Sequence, residues 1–215
     1  MEIGRNFLIF DLDGCIIDSI PLMEKAFYYA ACQLYGEEHG LDFASYKRRL
    51  GKPIDVIIEE MSLRPDFEVY YYEYVDNHID QIRVCSGIES TLKVLKSDGI
   101  DMAIATGKSG IRSREILTTL GLMSHFQLVV GGDEVIAGKP NPEVIYKILS
   151  TCKRTPQVTV MIGDSTIDIL TAVAANVPSI GTLWTGSDAD ELKSAGATFT
   201  LSDPHYLPSL ISDLS

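Results

Sequence analysis

Phe7-Leu8-Ile9-Phe10-Asp11-Leu12-Asp13-Gly14 decides the reading of this 215-residue chain. Four consecutive apolar residues closed by a turn signal describe a buried central strand. Asp11 and Asp13 then fall at its C-terminal end, where open α/β sheets bind their ligands. Two carboxylates separated by one residue on an unwinding strand tip can share a hard cation and face one substrate. The same residues also suit a helix N-cap or an Asx-turn, where Asp and Gly are common. What tilts the balance is that three further motifs follow, each again at the end of an apolar run.

The second is Ala103-Ile104-Ala105-Thr106-Gly107-Lys108. A hydroxyl followed by the amides of a Gly-containing loop forms a natural phosphate contact, and a plain Thr-Gly turn is the competing reading. The third is Gly138-Lys139-Pro140-Asn141-Pro142-Glu143. Glycine and two prolines pin the backbone around one lysine, which can set a fixed ammonium near developing negative charge. The fourth is Val160-Met161-Ile162-Gly163-Asp164-Ser165-Thr166-Ile167-Asp168. Asp164 ends a strand and Asp168 falls one helical turn later, so both carboxylates can face one side. Strand-terminal carboxylates, one hydroxyl and one lysine suit phosphoryl transfer, in which a cation and the lysine screen the phosphate while one carboxylate attacks. Hard oxygen ligands with no nearby His or Cys cluster favour Mg²⁺ over zinc.

From about residue 85 onward, strand-like and helix-like segments alternate. Strands are expected at 100–105, 126–130, 158–162, 178–183 and 197–201. Helices are expected at 90–97, 109–120 (closed by Gly121), 142–150, 165–175 and 189–194. This rhythm implies a Rossmann-like, mainly parallel sheet covered by helices on both faces. Residues 17–84 break it. Segments 21–35, 43–50, 53–63 and 66–83 read as helices punctuated by Gly51, Pro53 and Pro65, with no convincing strand among them. The expected organisation is an α/β core of residues 1–16 and 85–215, with an inserted small all-helical cap at 17–84. Lids of this kind exclude water and select substrates. Tyr70, Tyr71, Tyr72 and Tyr74 cover several sides of one cap helix and are expected to pack its core.

Apolar residues make up 46% of the chain and charged residues 22%, as in an ordinary soluble enzyme. The net charge of −12 argues against nucleic-acid binding, which needs a basic stripe. It leaves room for a small phosphorylated ligand held by local cations and a metal. No apolar run is long enough to span a bilayer, and Met1–Arg5 precedes no signal-peptide core, so no membrane association and a cytoplasmic location are expected. Cys15, Cys32, Cys85 and Cys152 are scattered and fit reduced, mostly buried thiols.

Asp11-Leu12-Asp13-Gly14 with Asp18-Ser19, then Thr106-Gly107, Lys139-Pro140, and Gly163-Asp164 with Asp168, resemble in content and order the haloacid dehalogenase superfamily of aspartyl-phosphate hydrolases. The chain looks most like the phosphoglycolate phosphatase and β-phosphoglucomutase group, and the resemblance covers nearly its whole length. It implies Asp11 as nucleophile and Asp13 as general acid and then base. It implies Mg²⁺ held by Asp11, the Asp13 carbonyl and Asp164. Thr106 and the Gly107 amide would bind phosphoryl oxygens, Lys139 would stabilise negative charge, and Asp168 would orient Lys139 or the metal's water shell. Cys15 stands where many relatives carry Thr, and Thr106-Gly107-Lys108 replaces the usual Thr-Asn, so Lys108 is an added substrate-contact candidate. Arg48, Arg49, Gly51, Lys52 and Pro53 form a basic turn between two cap helices, from which Arg49 or Lys52 is expected to meet the leaving group.

The resemblance therefore implies an Mg²⁺-dependent phosphatase acting on a small phosphorylated metabolite such as a phosphoglycolate- or sugar-phosphate-like monoester, as a monomer or homodimer. A β-phosphoglucomutase-like phosphomutase is the first alternative. Mutase relatives usually add a His-Lys pairing in the cap, and His39 beside Gly40 sits in an expected loop. An inorganic pyrophosphatase, a dehalogenase and a non-catalytic binding protein are further alternatives. Asp13 and Asp164 argue against the dehalogenase.

Overall fold

The computed structural model describes residues 6–38 and 40–214. His39 and Met1–Arg5, which the sequence reading invoked, lie outside the described residues.

The apolar run that opens the chain forms β1 (Phe7–Phe10), and all four of its side chains are fully buried. It lies in the middle of a six-stranded parallel sheet, between β4 (Asp101–Ala105) and β6 (Thr159–Gly163). Beyond β4 lies β5 (Leu128–Val130); beyond β6 lie β7 (Ser179–Thr182) and β8 (Phe199–Leu201). Alternate residues serve opposite layers, as the two-residue period of a strand requires. Leu8, Phe10, Met102, Ile104, Val160 and Ile162 belong to one core. Phe7, Ile9, Ala103, Ala105 and Met161 belong to the other, where they meet Val144, Ile145, Ile148 and Leu149. Each fully buried side chain of this size contributes about 1.5–3 kcal/mol of transfer free energy, so the central strand is firmly held.

Register converts this packing into a site. Phe10 stands opposite Ile104 on one side and Ile162 on the other. Asp11, Thr106 and Asp164, one or two residues further on, therefore emerge together at the carboxyl edge of the sheet. The Asp11 amide still bonds to Ile162 O at 2.8 Å, so the ladder runs up to the carboxylate itself.

Helices α5 (Ile88–Ser97), α6 (Gly110–Thr119), α7 (Glu143–Cys152), α8 (Thr166–Ala174) and α9 (Ala189–Ser194) follow the expected rhythm to within one or two residues. A tenth helix, Leu207–Asp213, was not expected from the sequence; it buries Leu207 and Ile211.

Between Asp18 and Arg83 lie α1 (Ile20–Tyr35), α2 (Phe43–Lys47), α3 (Ile54–Glu60) and α4 (Phe67–Asn77). Their shared core is aromatic: the Phe27 ring lies 5.2–5.7 Å from those of Phe43, Tyr46 and Phe67. The expected helices at 43–50 and 66–83 are shorter than read. Gly51, at φ +101°, turns the chain out of the helix and down onto the sheet edge. Past Asn77 the expected helix gives way to a 3₁₀ turn at Ile79–Gln81, and the chain enters a strand at Arg83. Ile17–Asp18 (β2) and Arg83–Val84 (β3) form a two-stranded antiparallel ribbon where the inserted helices leave and rejoin the sheet domain. Two-residue strands carry no readable periodicity, which is why the sequence showed none.

Candidate active site

The apolar strands deliver their polar tips into a space closed over by the inserted helices. Lys139 is the hub. Its Nζ lies 2.6 Å from Asp11 Oδ1, 2.6 Å from Asp168 Oδ1 and 3.2 Å from Ala105 O, and its side chain is only 1% exposed. Burial alone would lower its pKa, but Asp11 and Asp168 outweigh that and hold it above the usual lysine value. One ammonium shared between two carboxylates leaves Asp11 under-compensated. Burial first, then Asp168 and Asp13 nearby, push its pKa up to about 7 despite Lys139. Asp164 is likewise raised well above the ordinary carboxylate range by burial and by Asp168 and Asp11.

Asp168 is fixed from its other side. Ser165 caps α8 by accepting from the Asp168 amide, while Asp168 Oδ2 accepts from the Ser165 amide at 3.1 Å and its hydroxyl at 2.6 Å. This reciprocal capping box occupies one carboxylate oxygen and leaves the other for Lys139. Asp168 is thus fixed with one oxygen against the lysine.

Asp13 sits at the entrance to the inserted helices. Its Oδ1 accepts from Ser19 Oγ at 2.5 Å and lies 3.4 Å from Lys108 Nζ. The loop carrying it is anchored from β7's end: Trp184 Nε1 donates to Cys15 O at 3.0 Å, and Thr185 Oγ1 donates to Gly14 O at 2.7 Å. Gly14 itself has φ +80°, and a Cβ there would fall 2.2 Å from Asp164 Oδ2. Glycine is therefore needed twice over, for its backbone and for its carboxylate neighbour. Ser19, Lys108, Ser165, Trp184 and Thr185 tighten the centre. Of their contacts, only the Ser165 capping box had a readable signal, in its spacing to Asp168. Cys15 is buried beside the site, where burial and the neighbouring carboxylates push its thiol well up, consistent with an inert side chain. All four cysteines are free, although Cys32 is exposed rather than buried.

One carboxylate oxygen from each of Asp11, Asp164 and Asp168 lies within 4.8 Å of the others. Four carboxyl groups (Asp11, Asp13, Asp164 and Asp168) face two ammonium groups here, so ionising all four would leave the centre with an excess of negative charge. Hard oxygen donors and uncompensated charge fit a divalent cation. Asp168 is engaged by Lys139 and Ser165, which leaves Asp11 and Asp164 as the freer donors.

Thr106 is buried at the tip of β4 and its Oγ1 accepts from the Lys108 amide at 3.1 Å. Thr106, Gly107 and Lys108 all line a cavity of about 630 Å³ above Asp11, Asp13 and Asp164. Of the basic turn, Arg48, Gly51 and Lys52 line the cavity. Lys52 is paired with Glu60 at 2.5 Å. Arg49 is not among the lining residues; it pairs with the same Glu60 at 3.3 Å and donates to Ser45 O at 2.6 Å. Both cations are thus engaged by one glutamate, a partnership that spacing alone could not reveal. Tyr71 packs in the inserted core as expected, yet it also lines the cavity, as does Tyr72.

The turn seats closely on the sheet domain. A Cβ on Gly107 would fall 2.3 Å from Gly51 O, and one on Gly138 would fall 2.6 Å from the Pro53 ring. No helix among the described residues is long and apolar enough to cross a membrane.

A parallel sheet whose central strand ends in a buried Asp-Lys-Asp centre under inserted helices is an α/β fold with its candidate site at the carboxyl edge. The description "Haloacid dehalogenase-like hydrolase" matches residues 8–182, and the chain belongs to that family. Among curated relatives, a phosphoglycolate phosphatase of Aquifex aeolicus is 30% identical over 210 residues, covering 96% of each chain. A phosphorylated carbohydrates phosphatase of Thermotoga maritima is 29% identical over 202 residues, covering 88% of this chain and 91% of its own. A hydrolase from Pseudomonas syringae, solved by crystallography, superposes with a TM-score of 0.86 at 25% identity, covering 98% of this chain and all of its own.

Proposed function

We propose that this protein is an Mg²⁺-dependent phosphatase that hydrolyses a small phosphorylated metabolite through an aspartyl-phosphate intermediate. The observation that carries the reading is the placement of Asp11. It ends the central strand, is held by Lys139 at 2.6 Å, and opens onto a cavity that also presents Thr106, Lys108 and Asp13.

In this reading Asp11 attacks phosphorus, forming a bond from its carboxylate oxygen as the bond from phosphorus to the ester oxygen breaks. Asp13 gives its proton to the departing alkoxide. Water then attacks the phospho-aspartate, the bond between phosphorus and Asp11 breaks, and Asp13 takes the water's proton. Asp13 is suited to both steps because Ser19 and Lys108 fix its carboxyl within reach of the cavity. Thr106 and the Gly107 amide hold phosphoryl oxygens, and Lys139 offsets charge on nucleophile and phosphate. Asp11, the Asp13 carbonyl and Asp164 would hold Mg²⁺, which screens the negative charge of the incoming phosphate.

Residues 17–84 act in this proposal as the cap, and residues 1–16 with 85–215 as the chemical platform. The antiparallel ribbon of Ile17–Asp18 and Arg83–Val84 supports that division, because the cap enters and leaves through it. Phosphate release from a panel of esters, with Mg²⁺ and with EDTA, tests the proposal beside Asp11→Asn. The expected result is metal-dependent release that falls by roughly 10⁴-fold or more in the variant. Retained turnover in Asp11→Asn, with contamination excluded, would remove Asp11 as nucleophile.

A further inference from the structure

On the phosphatase reading, we propose that the alcohol released is apolar or aromatic, rather than a carboxylate or a polyol. The cavity has two unlike ends. Around Asp11 and Asp164 its wall is polar, with Thr106, Lys108, Ser165 and Thr166, as a phosphate needs. Beyond Asp13 the wall comes from the cap, where Ile20, Met23, Leu50, Ile54, Ile57 and Tyr72 lie beside Tyr46, Tyr71 and the cations of the basic turn. Met23 and Ile57 are buried beneath, while Ile20, Leu50, Ile54 and Tyr72 are half-buried, so the latter four form the apolar surface still open to an occupant. Tyr72 is set in place: Arg112 of α6 stacks 4.0 Å from its ring centroid and pairs with Asp76 of α4. A ring held this way loses little freedom when a flat group packs against it.

The charges near this end do not serve an anionic leaving group. Lys52 and Arg49 are both held by Glu60. Lys108 lies beside Asp13. Lys47 and Arg48 are exposed at the rim, with Arg48 donating to Ser45 Oγ at 2.9 Å. On the other side the lining residues include Asp188 and Glu191, which repel a second carboxylate. The Tyr46 and Tyr71 hydroxyls are bonded to each other, so a polyol would exchange water mainly for isoleucine, leucine and methionine side chains that offer no hydrogen bond, whereas an apolar or aromatic group loses little there. About 630 Å³ is also ample for a ring in addition to the phosphate.

The test compares kcat/KM for benzyl phosphate, sn-glycerol 3-phosphate, glucose 6-phosphate and 2-phosphoglycolate, all with Mg²⁺. Benzyl phosphate is expected to exceed each of the others by about tenfold or more, mainly through KM. Ile54→Ser, at a half-buried position, is expected to cut the benzyl-to-glycerol ratio at least about fivefold. Equal or better turnover of 2-phosphoglycolate or glycerol phosphate overturns the proposal, as does an unchanged ratio in Ile54→Ser. Binding without turnover separates this proposal from the reading it rests on. Benzylphosphonate is expected to raise Tm more than phosphonoacetate at equal concentration. Stronger protection by benzylphosphonate with no ester hydrolysed would sink the phosphatase and keep the preference; equal or weaker protection would sink the preference itself.

Discussion

The sheet edge and the cap turn each bring charged residues to the same cavity, yet they treat them in opposite ways. At the sheet edge, Lys139 is buried and bonded to two carboxylates that are themselves fixed by strand register and a helix cap. In the turn, Lys52 and Arg49 share the half-exposed Glu60, and Arg49 adds a bond to Ser45 O. Buried charges in a bonded network are strongly coupled to structure and chemistry, whereas half-exposed pairs contribute little. In the proposed function the chemistry therefore belongs to the platform, and the cap supplies shape more than charge.

Lys139→Met would break this contrast most severely. It leaves Asp11 and Asp168 buried without their cation, so a loss of about 3–5 kcal/mol in stability is expected, together with loss of activity. Denaturant midpoints and phosphate release measure the two effects. A variant as stable as the parent would show that the centre is not the network described.

Gly138→Ala places a methyl group against Pro53 and so should lift the cap turn without touching the carboxylates. A fall of about tenfold in kcat/KM is expected, since a small displacement of a closing element costs that much or more. An unaltered value would mean that the seat of Pro53 does not matter to turnover.

The raised carboxylates give the platform a pH signature. The Asp11 pKa of about 7 in the folded chain stands above the ordinary aspartate value of 3.8, so the folded state holds its proton where the unfolded state has released it. That contribution is complete below about pH 4 and is lost as pH rises through 7; raised Asp164 adds in the same direction. In EDTA, Tm should therefore fall between pH 5 and 8, and Mg²⁺, which binds the ionised carboxylates, should recover several degrees at the upper end. Thermal unfolding across that range decides it, and a Tm that rises with pH in EDTA would contradict the buried-carboxylate picture.

Lys52→Ala should have the smallest effect, a change in KM within about twofold, because Glu60 already holds the ammonium. A larger rise would restore Lys52 as a substrate contact and weaken the contrast.

How much of this was legible follows the same division. Phe7–Phe10 could be read as a central strand because a fully buried strand is an unbroken apolar run, and the carboxylates could be placed because they end such runs. The Ser165–Asp168 box likewise lies within four residues. Arg112 holding Tyr72, and Trp184 and Thr185 anchoring the loop of Asp13, join residues distant in sequence, while Glu60 meets Lys52 and Arg49 across a turn whose path the sequence pattern does not fix. Those pairings depend on the finished fold, and no local pattern announces them. The helix Leu207–Asp213 also escaped reading, since its seven residues begin just before a proline and bury only two side chains.

The ribbon at the base of the cap has one more consequence. Asp18 and Arg83 stand opposite each other on paired strands, so the inserted segment begins and ends about 5 Å apart. A segment with adjoining ends can be exchanged as a cassette, because its replacement need only span a gap the ribbon already closes. The apolar core runs without interruption from Leu8 and Phe10 to Phe27 and Phe67, so a replacement must also supply a matching apolar underside. Within that limit, such an architecture can diversify what it recognises while inheriting its reaction intact.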